Sequence, residues 1–317
     1  MLDAQKLYLK FGFKYIYFPM GNTGHFACPI WMIKSLWMNL IELRNLYRKT
    51  LNDFSIKESD YYLKILLKEY FNLDFTFINL NPDYILKGSQ LNKLLEGLDK
   101  LKTNYPIDYL INKKLFLDNE FYVNEDVLIP RPETEELTNW ILEDNKETKE
   151  KKRVIDIATG SGCIAITLSL NNKYFETIAV DISKKALEIC EINQKRIFSE
   201  VTFLEYDIRE EKVFSEKFDI IVSNPPYLTS NEASIIGKNV KYEPEIALFA
   251  PSEDPILYYK EIVKFSKLNL NKNGFIYFEI NPLYIKEIKQ MLAKNNLNDV
   301  NFKDDFEGKK RFVKITF

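Results

Sequence analysis

From Lys151 to the C-terminus, segments typical of β-strands alternate with segments typical of α-helices. Short apolar runs such as "RVIDIAT", "TIAVD" and "FDIIVSN" are separated by helix-like stretches such as "SKKALEICEINQKRI". This alternation is characteristic of a doubly wound α/β sheet with parallel core strands. Ligands of such sheets bind at the carboxyl ends of the strands. The chemistry of the chain is therefore expected in the residues that directly follow those strands.

The N-terminal half of the chain has a different pattern. The chain has 317 residues, more than one compact core usually holds, so more than one domain is expected. We predict a small helical domain at 38–105, with Ser59 or Asn81 as candidate helix caps. Apolar residues at helical spacing predict its helices within 38–51, 55–72 and 81–104.

A linker with a β-hairpin is predicted at 106–131, because two alternating runs lie on either side of Asp118. Residues 132–317 would then form the α/β domain. The segment 1–37 contains a helix-like stretch at 3–13, a strand-like run and a turn-rich tail. We therefore treat this segment as an N-terminal extension.

Composition excludes several functional classes. The 44 basic and 46 acidic residues give a net charge of −2, which is poorly suited to binding a long phosphate backbone. The single histidine, His25, lies in a Gly/Asn/Thr turn and is expected to be a solvated loop residue, so histidine-based triads and metal sites are disfavoured. Three cysteines without a CxxC pair indicate a reducing compartment. We expect a cytoplasmic monomer without membrane segments.

A glycine-rich turn joins the first strand of the α/β domain to a helix in "VIDIATGSGCIA". Gly160 and Gly162 allow the backbone to approach a ligand closely. Asp181 ends the next strand, where an acidic residue binds ribose hydroxyls in nucleotide-binding folds. The loop, the acid and the strand–helix–strand context together predict a nucleotide-type ligand.

The identity of that ligand depends on the charges near the loop. Gly160, Gly162 and Ala165 also fit the dinucleotide fingerprint. Asp156, an acid inside the first strand, offers nothing to a pyrophosphate but would attract the cationic S-adenosylmethionine, directly or through water. Asp207, at the end of the third strand, is placed to reach the adenine edge. These acids favour S-adenosylmethionine over a nicotinamide cofactor.

The stretch "VSNPPYL" forms a rigid polar corner at the end of the fourth strand. A planar NH₂ group is a poor nucleophile, because its lone pair is delocalised, and two hydrogen-bond acceptors are needed to hold it toward a methyl donor. Asn224 offers a side-chain carbonyl and Pro225 a backbone carbonyl. The prolines restrict the backbone here, and the ring of Tyr227 could stack on a flat substrate. Catalysis would then rest on positioning and electrostatics.

Together these motifs resemble the class I S-adenosylmethionine-dependent methyltransferases that modify planar amines. The combination of "DVLIPRPETEELT", "VIDIATGSGCIAI", "FDIIVSNPPYL", "KYEPEIALFA" and "FEGKKRFV" is similar to the HemK/PrmC family. That family methylates the N5 nitrogen of glutamine in peptide chain release factors. The resemblance covers about 38–317 and implies a Rossmann-like methyltransferase domain behind a helical domain that helps to dock the release factor.

The resemblance also implies the roles of individual residues. Asn224, Pro225, Pro226 and Tyr227 would hold the glutamine of the release factor's Gly-Gly-Gln tip, and no metal is implied. The residues implied in cofactor binding are Ala158, Thr159, Gly160, Ser161, Gly162, Asp181, Asp207, Ile208 and Asn224.

Three features depart from the family pattern. Ala158 stands where the loop usually begins with glycine, and Ile208 stands where some members carry an aromatic residue. The segment 1–37 lies outside the family's usual extent, and part of it is similar to the last helix and strand of a GNAT-type N-acetyltransferase. Since the acetyl-CoA-binding core of that fold is missing, no separate activity is expected from this segment.

Three alternatives remain open at the level of the sequence. "NPPY" also suits the adenine amino group, so the chain could be a nucleic-acid adenine methyltransferase, although the charge balance and "PRPETE" disfavour this. A glutamine methyltransferase acting on a ribosomal protein would use closely related chemistry. A non-catalytic cofactor-binding scaffold is disfavoured, because "NPPY" is intact.

Overall fold

The structure, a computed structural model, describes residues 13–16, 31–34, 37–232 and 237–317. The chain divides into two compact units, Met1–Ile111 and Asn112–Phe317. Residues 3–12 of the predicted helix at 3–13, together with His25, lie outside the described residues, and Phe13 belongs to a strand.

The first unit contains short strands and helices. Its strands are β1 (Phe13–Ile16), β2 (Trp31–Lys34), β3 (Trp37–Asn39) and β4 (Ile85–Lys87). Its helices are α1 (Leu40–Thr50), α2 (Ile56–Phe71), α3 (Phe75–Leu80), α4 (Ser89–Lys102) and α5 (Ile107–Ile111). Antiparallel pairing joins β1 to β2 and β3 to β4. A leucine-rich core that includes Leu43, Leu66 and Leu94 holds the helices together, and the predicted helical domain thus has an apolar core of its own.

Two details of this unit differ from the prediction. The predicted helix over 81–104 is wrong at its start, because β4 occupies Ile85–Lys87 and α4 begins only at Ser89. Of the two predicted caps, Asn81 is confirmed as a helix cap, at the C-terminus of α3, whereas Ser59 is wrong. Asn39 caps α1 and Ser55 caps α2, each in a reciprocal capping box, while Ser59 is buried inside α2.

The second unit begins with the predicted hairpin. Its strands β5 (Lys114–Phe116) and β6 (Asn119–Phe121) pair antiparallel across Asp118. The next element is α6 (Pro132–Asp144), which has proline at its first position and Glu133 and Glu135 in its first turn. Both features favour a helix N-terminus.

The remaining elements build one seven-stranded sheet. Its strands are β7 (Lys152–Ile157), β8 (Phe175–Asp181), β9 (Val201–Glu205), β10 (Phe218–Ser223), β11 (Leu270–Glu279), β12 (Val300–Asp304) and β13 (Lys310–Thr316). The helices between them are α7 (Cys163–Asn171), α8 (Lys184–Ile197), α9 (Glu245–Leu248), α10 (Leu257–Asn269) and α11 (Ile285–Lys294).

The strand order is β12-β13-β11-β10-β7-β8-β9. The five strands from β11 to β9 are parallel, and β13 and β12 add an antiparallel edge. Two apolar clusters fill the unit. One includes residues of α10 and α11, and the other includes residues of α6, α7 and the hairpin. The predicted fold class, a Rossmann-like α/β domain preceded by helices and a hairpin, is confirmed.

The strand order of this sheet reverses between β10 and β7. The carboxyl ends of these two strands therefore form a crevice of the kind that binds ligands in such folds. Nowhere in the described ranges is a helix both long enough and apolar enough to cross a membrane.

Candidate active site

A cavity of about 310 Å³ lies at the carboxyl ends of the parallel strands. Most predicted site residues line it, and they come from the ends of β7, β8, β9 and β10. These are Ala158, Thr159, Gly160, Ser161, Asp181, Asp207, Ile208, Asn224, Pro225 and Pro226. Three predicted residues, Asp156, Gly162 and Tyr227, are not part of its lining.

In the loop after β7, three residues have a left-handed backbone conformation. Ala158, Gly160 and Gly162 have φ values of 60°, 57° and 80°. An added Cβ at Gly160 would have no atom within 4 Å, whereas one at Gly162 would lie 3.1 Å from Ile166 Cδ1. Gly160 therefore leaves space open at the cavity, and Gly162 allows close packing behind the loop. Ala158 adopts a conformation that costs an L-residue roughly 1–2 kcal/mol.

Asp181, at the end of β8, holds this loop and lines the cavity. Its Oδ2 accepts a hydrogen bond from the Gly160 backbone N–H at 2.9 Å, and its Oδ1 accepts one from Ser183 N–H at 2.9 Å. Burial raises the pKa of Asp181, and these backbone N–H groups oppose that rise. Each carboxylate oxygen has a second lone pair, so Asp181 can still accept hydrogen bonds from a ligand.

Asp156, the last residue but one of β7, lies behind the loop and is fully buried. Its Oδ2 accepts a hydrogen bond from the Thr159 hydroxyl at 2.6 Å. Burial raises the pKa of Asp156 to about 7. Since Asp156 does not line the cavity, its geometry supports a role in holding Thr159 and in setting the local charge.

On the far side of the cavity, Asp207 and Ile208 follow β9. Arg209 donates to both carboxylate oxygens of Asp207, with Nε 2.9 Å from Oδ1 and Nη2 2.5 Å from Oδ2. This pairing holds the pKa of Asp207 below its ordinary value. Asp207 is therefore a charged acceptor that already has a partner, beside the apolar side chain of Ile208.

Asn224 follows β10 and belongs to a hydrogen-bonded chain. Its Nδ2 donates to Thr134 Oγ1 at 3.1 Å, and Thr134 Oγ1 donates to Glu279 Oε2 at 2.7 Å. Thr134 has one hydroxyl proton, which goes to Glu279, so it can only accept from Asn224. In the described part of the chain no group donates to Asn224 Oδ1, which leaves this carbonyl oxygen as an acceptor at the cavity.

The ring of Tyr227 was expected to face the cavity, but Tyr227 does not line it. Its hydroxyl donates to Glu279 Oε1 at 3.1 Å, and its ring packs against the apolar cluster of α10 and α11. Burial beside Glu279 raises the pKa of the Tyr227 hydroxyl. Pro225 and Pro226 line the cavity between Asn224 and Tyr227.

Comparisons with known proteins show where the chain belongs. Residues 136–240 match the family described as Methyltransferase small domain. The release factor glutamine methyltransferase of Flavobacterium psychrophilum is 40% identical over 267 residues, which cover 83% of this chain and 94% of that protein. The enzymes of that name from Bacteroides thetaiotaomicron and Leptospira interrogans are 37% and 35% identical, covering 84% and 80% of this chain and 96% and 89% of those proteins.

The chain belongs to the release factor glutamine methyltransferase family. This confirms the predicted family and enzyme class.

The cavity of this family member suits S-adenosylmethionine. Asp181 offers paired acceptors to a ribose diol, and Gly160 leaves room for close approach. Ser161 also lines the cavity, and its buried hydroxyl oxygen has no hydrogen-bond partner in the ranges that the structure describes, so it can bind a polar group. The nearby carboxyl groups favour a ligand that carries positive charge.

Sequence reasoning missed several residues of this methyltransferase site. Thr134 and Glu279 were not assigned roles, although Thr134 lies within "PRPETE". Tyr258 and Ile262 of α10 also line the cavity. No sequence signal marked these two, because ordinary helical spacing does not reveal which face meets a ligand.

Proposed function

We propose that this protein transfers the methyl group of S-adenosylmethionine to the side-chain amide nitrogen, N5, of the glutamine in the Gly-Gly-Gln motif of peptide chain release factors. Membership of the release factor glutamine methyltransferase family supports this proposal. The supporting observation in the site is the orientation of the Asn224 amide, whose NH₂ group is engaged by Thr134.

The orientation of Asn224 matches the needs of an amide nucleophile. The Asn224 Oδ1 acceptor and the neighbouring Pro225 carbonyl would receive the two N–H groups of the substrate amide. S-adenosylmethionine, when bound, supplies an electrophilic methyl group on a sulfonium. Asn224 and Pro225 would hold the substrate nitrogen so that its lone pair points at that methyl group. Because no base is needed before the nitrogen has become positive, positioning and electrostatics carry the catalysis.

The cofactor would be held by residues of four strand ends. Asp181 would accept hydrogen bonds from the ribose hydroxyls, the loop from Ala158 to Gly162 would contact the cofactor through its backbone, and Ile208 would pack on the adenine. Asp207 would bind near the adenine edge, with its carboxylate paired to Arg209 as it is in the structure. Asp156 would act through Thr159 and through its charge.

We assign release-factor docking to the helical domain at 38–105. A single glutamine in a pocket cannot supply enough binding energy to offset the ordering of a flexible loop, so a second surface is needed. The apolar core of this unit, which includes Leu43 and Leu94, gives such a surface a rigid support.

The purified protein should bind S-adenosylmethionine and not NAD. Asp181→Ala should weaken S-adenosylmethionine binding by about ten- to a hundredfold, since hydrogen bonds to charged groups contribute about 1.5–3 kcal/mol. Titration calorimetry with both ligands measures this. Asp299→Ala, which changes an exposed aspartate, is the matched control and should bind normally. Tight NAD binding without S-adenosylmethionine binding would disprove the cofactor assignment.

In an assay with methyl-labelled S-adenosylmethionine, a folded release factor should acquire label at the glutamine of its Gly-Gly-Gln motif. The Gln→Ala variant of the factor should remain unlabelled, because the accepting nitrogen is gone. Ribosomal proteins and unmethylated DNA tested alongside should also remain unlabelled. Label on DNA, or equal label on the Gln→Ala factor, would contradict the proposed function and favour an adenine or another protein substrate.

A further inference from the structure

Glu279 is a buried carboxyl that the proposed reaction does not use directly. It ends β11, beside β10 in a parallel register that pairs Ser223 with Phe278, so Asn224 and Glu279 are the next residues of neighbouring strands. Only 1% of Glu279 is exposed. A buried carboxyl is costly unless its oxygens accept hydrogen bonds, and both oxygens of Glu279 do so.

The two donors to Glu279 come from functional segments. Thr134 of α6 donates to Oε2, and Tyr227 of the "NPPY" corner donates to Oε1. Thr134 itself is 3% exposed and accepts from Asn224. These hydrogen bonds therefore all point the same way. The Asn224 amide, which faces the substrate, donates to Thr134, and Thr134 donates to Glu279.

This direction depends on Glu279 being a pure acceptor. As a carboxylate it forces the Thr134 proton toward itself, so Thr134 can only accept from the NH₂ of Asn224. If Glu279 carried a proton on Oε2, it would donate to Thr134. The Thr134 proton could then turn to Asn224, whose amide would offer Oδ1 inward and present NH₂ to the cavity. That reversed amide repels the N–H groups of a substrate amide.

We propose that the carboxylate of Glu279 is a positioning residue, which acts through the Thr134 hydroxyl to keep the carbonyl oxygen of Asn224 directed at the substrate amide. The proposal rests on the proposed function for its catalytic consequence. The hydrogen-bond direction itself is a property of the protein alone.

The charge environment places the protonation of Glu279 within an accessible pH range. Burial raises the pKa of Glu279 to about 7, with the hydrogen bonds from Thr134 and Tyr227 and the positive charge of Arg311 opposing the rise. The carboxyl of Glu133 also raises it. Within the described residues, the Tyr259 hydroxyl and the Cys163 thiol also interact with Glu279; burial raises their pKa values, so both stay neutral near pH 7.

The first test compares variants of Thr134. Thr134→Val removes the hydroxyl at nearly constant volume and should lower kcat by about tenfold or more, up to the roughly 10²-fold that a misplaced catalytic group costs. Thr134→Ser restores a hydroxyl and should recover most of that loss. Thr202→Val, on an exposed position of β9, is the matched control. Turnover by Thr134→Val equal to that of the control would overturn the proposal.

The second test is the pH profile of kcat. The native enzyme should gain turnover as pH rises through about 7, where Glu279 loses its proton. Glu279→Gln cannot titrate and should show low turnover without this rise. Asp156, whose pKa burial also raises to about 7, is another group that titrates there. A rise that persists unchanged in Glu279→Gln would belong to Asp156 and would overturn the assignment.

The third test needs no activity. In protein with ¹⁵N-labelled asparagine, the Asn224 side-chain amide signals are assigned by their loss in Asn224→Ala. They should shift with pH near 7 in the native protein, stay constant in Glu279→Gln and differ in Thr134→Val. If the Asn224 amide signals were the same in the native protein, in Glu279→Gln and in Thr134→Val, the proposed positioning through Thr134 would be refuted. If the native enzyme fails to label a release factor while these signals respond as expected, the proposed function fails and the positioning through Thr134 stands.

Discussion

Asn224→Ala is expected to lower kcat by about 10²–10³-fold, the usual cost of losing one preorganised polar contact to the reacting centre. The Asn224 amide is held by Thr134, so in the proposed reaction its Oδ1 would meet the substrate without reorganising. The variant removes this acceptor and leaves one N–H group of the substrate amide without a partner. The affinity for S-adenosylmethionine should change far less, because in the proposed site Asp181 and the glycine loop would supply most of the cofactor contacts.

Single-turnover kinetics with a release factor and calorimetry with S-adenosylmethionine separate the two effects. Asn301→Ala is the matched control, since Asn301 is exposed on β12 and lies outside the cavity lining. Both kcat and affinity should be normal in that control. A drop in kcat of less than about threefold in Asn224→Ala would show that Asn224 does not position the reacting amide.

The strands and helices of the α/β domain were predictable because their apolar runs are long and buried. β7 and β10 lie in the middle of the sheet, so both of their faces are covered and the sequence becomes a continuous apolar run. Shorter elements were not predictable. β4 has three residues, and its Ile85 and Leu86 fit a helical period as well as a strand period. β12 is exposed along much of its length and lacks the apolar run that marks a buried strand.

The cofactor side of the site was predictable because its residues follow one another along the chain. The turn at Gly160, Asp181 and the "NPPY" corner lie at strand ends, and parallel strands bring such ends to one edge. The position of Asp156 was harder to predict from the sequence. The sequence indicates an acid near the loop, but only the structure places it behind the cavity wall with its oxygen bonded to Thr159.

The partners of Asn224 could not be predicted, because they come from distant parts of the chain. Thr134 lies 90 residues before Asn224, and Glu279 lies 145 residues after Thr134. Each residue alone is unremarkable in the sequence. Their meeting depends on the register of β10 with β11 and on where α6 begins. Tertiary packing of this kind decides which acceptor faces the substrate.

Arg131 and Glu243 also come from distant parts of the chain, so their pairing could not be predicted from the sequence. Removing this ion pair should have the second large effect, a loss of stability. Arg131→Ala should destabilise the protein by about 1.5–3 kcal/mol, the usual contribution of a hydrogen bond between charged groups, because the Arg131 side chain is 29% exposed and the pair is only partly buried. Arg131 Nη2 lies 2.6 Å from Glu243 Oε1, and the Glu243 side chain is 0% exposed. The backbone N–H of Ile129 also donates to the Glu243 carboxylate, at 3.3 Å.

Urea unfolding measures this change as a loss in the free energy of unfolding. Lys310→Ala is the control, because its pair with Asp304 is exposed and should contribute less than about 1 kcal/mol. The double variant with Glu243→Gln should lose less than the sum of the single variants, because the neutral amide needs no counter-charge. Equal losses in Arg131→Ala and Lys310→Ala would show that Glu243 does not depend on Arg131.

Arg131→Ala should also weaken S-adenosylmethionine binding, and this links stability to function. The ion pair joins "DVLIPRPETEELT" to "KYEPEIALFA", and both segments contribute walls to the cavity, through Leu128 and Pro130 on one side and Ile246 and Ala247 on the other. Without the ion pair, the two walls lose one of the contacts that set their separation, and the hydrogen bond from Ile129 N–H to Glu243 remains. Calorimetry in the absence of urea should therefore show weaker binding in Arg131→Ala and normal binding in Lys310→Ala. Normal affinity in a destabilised Arg131→Ala protein would mean that the pair holds the fold without shaping the cavity.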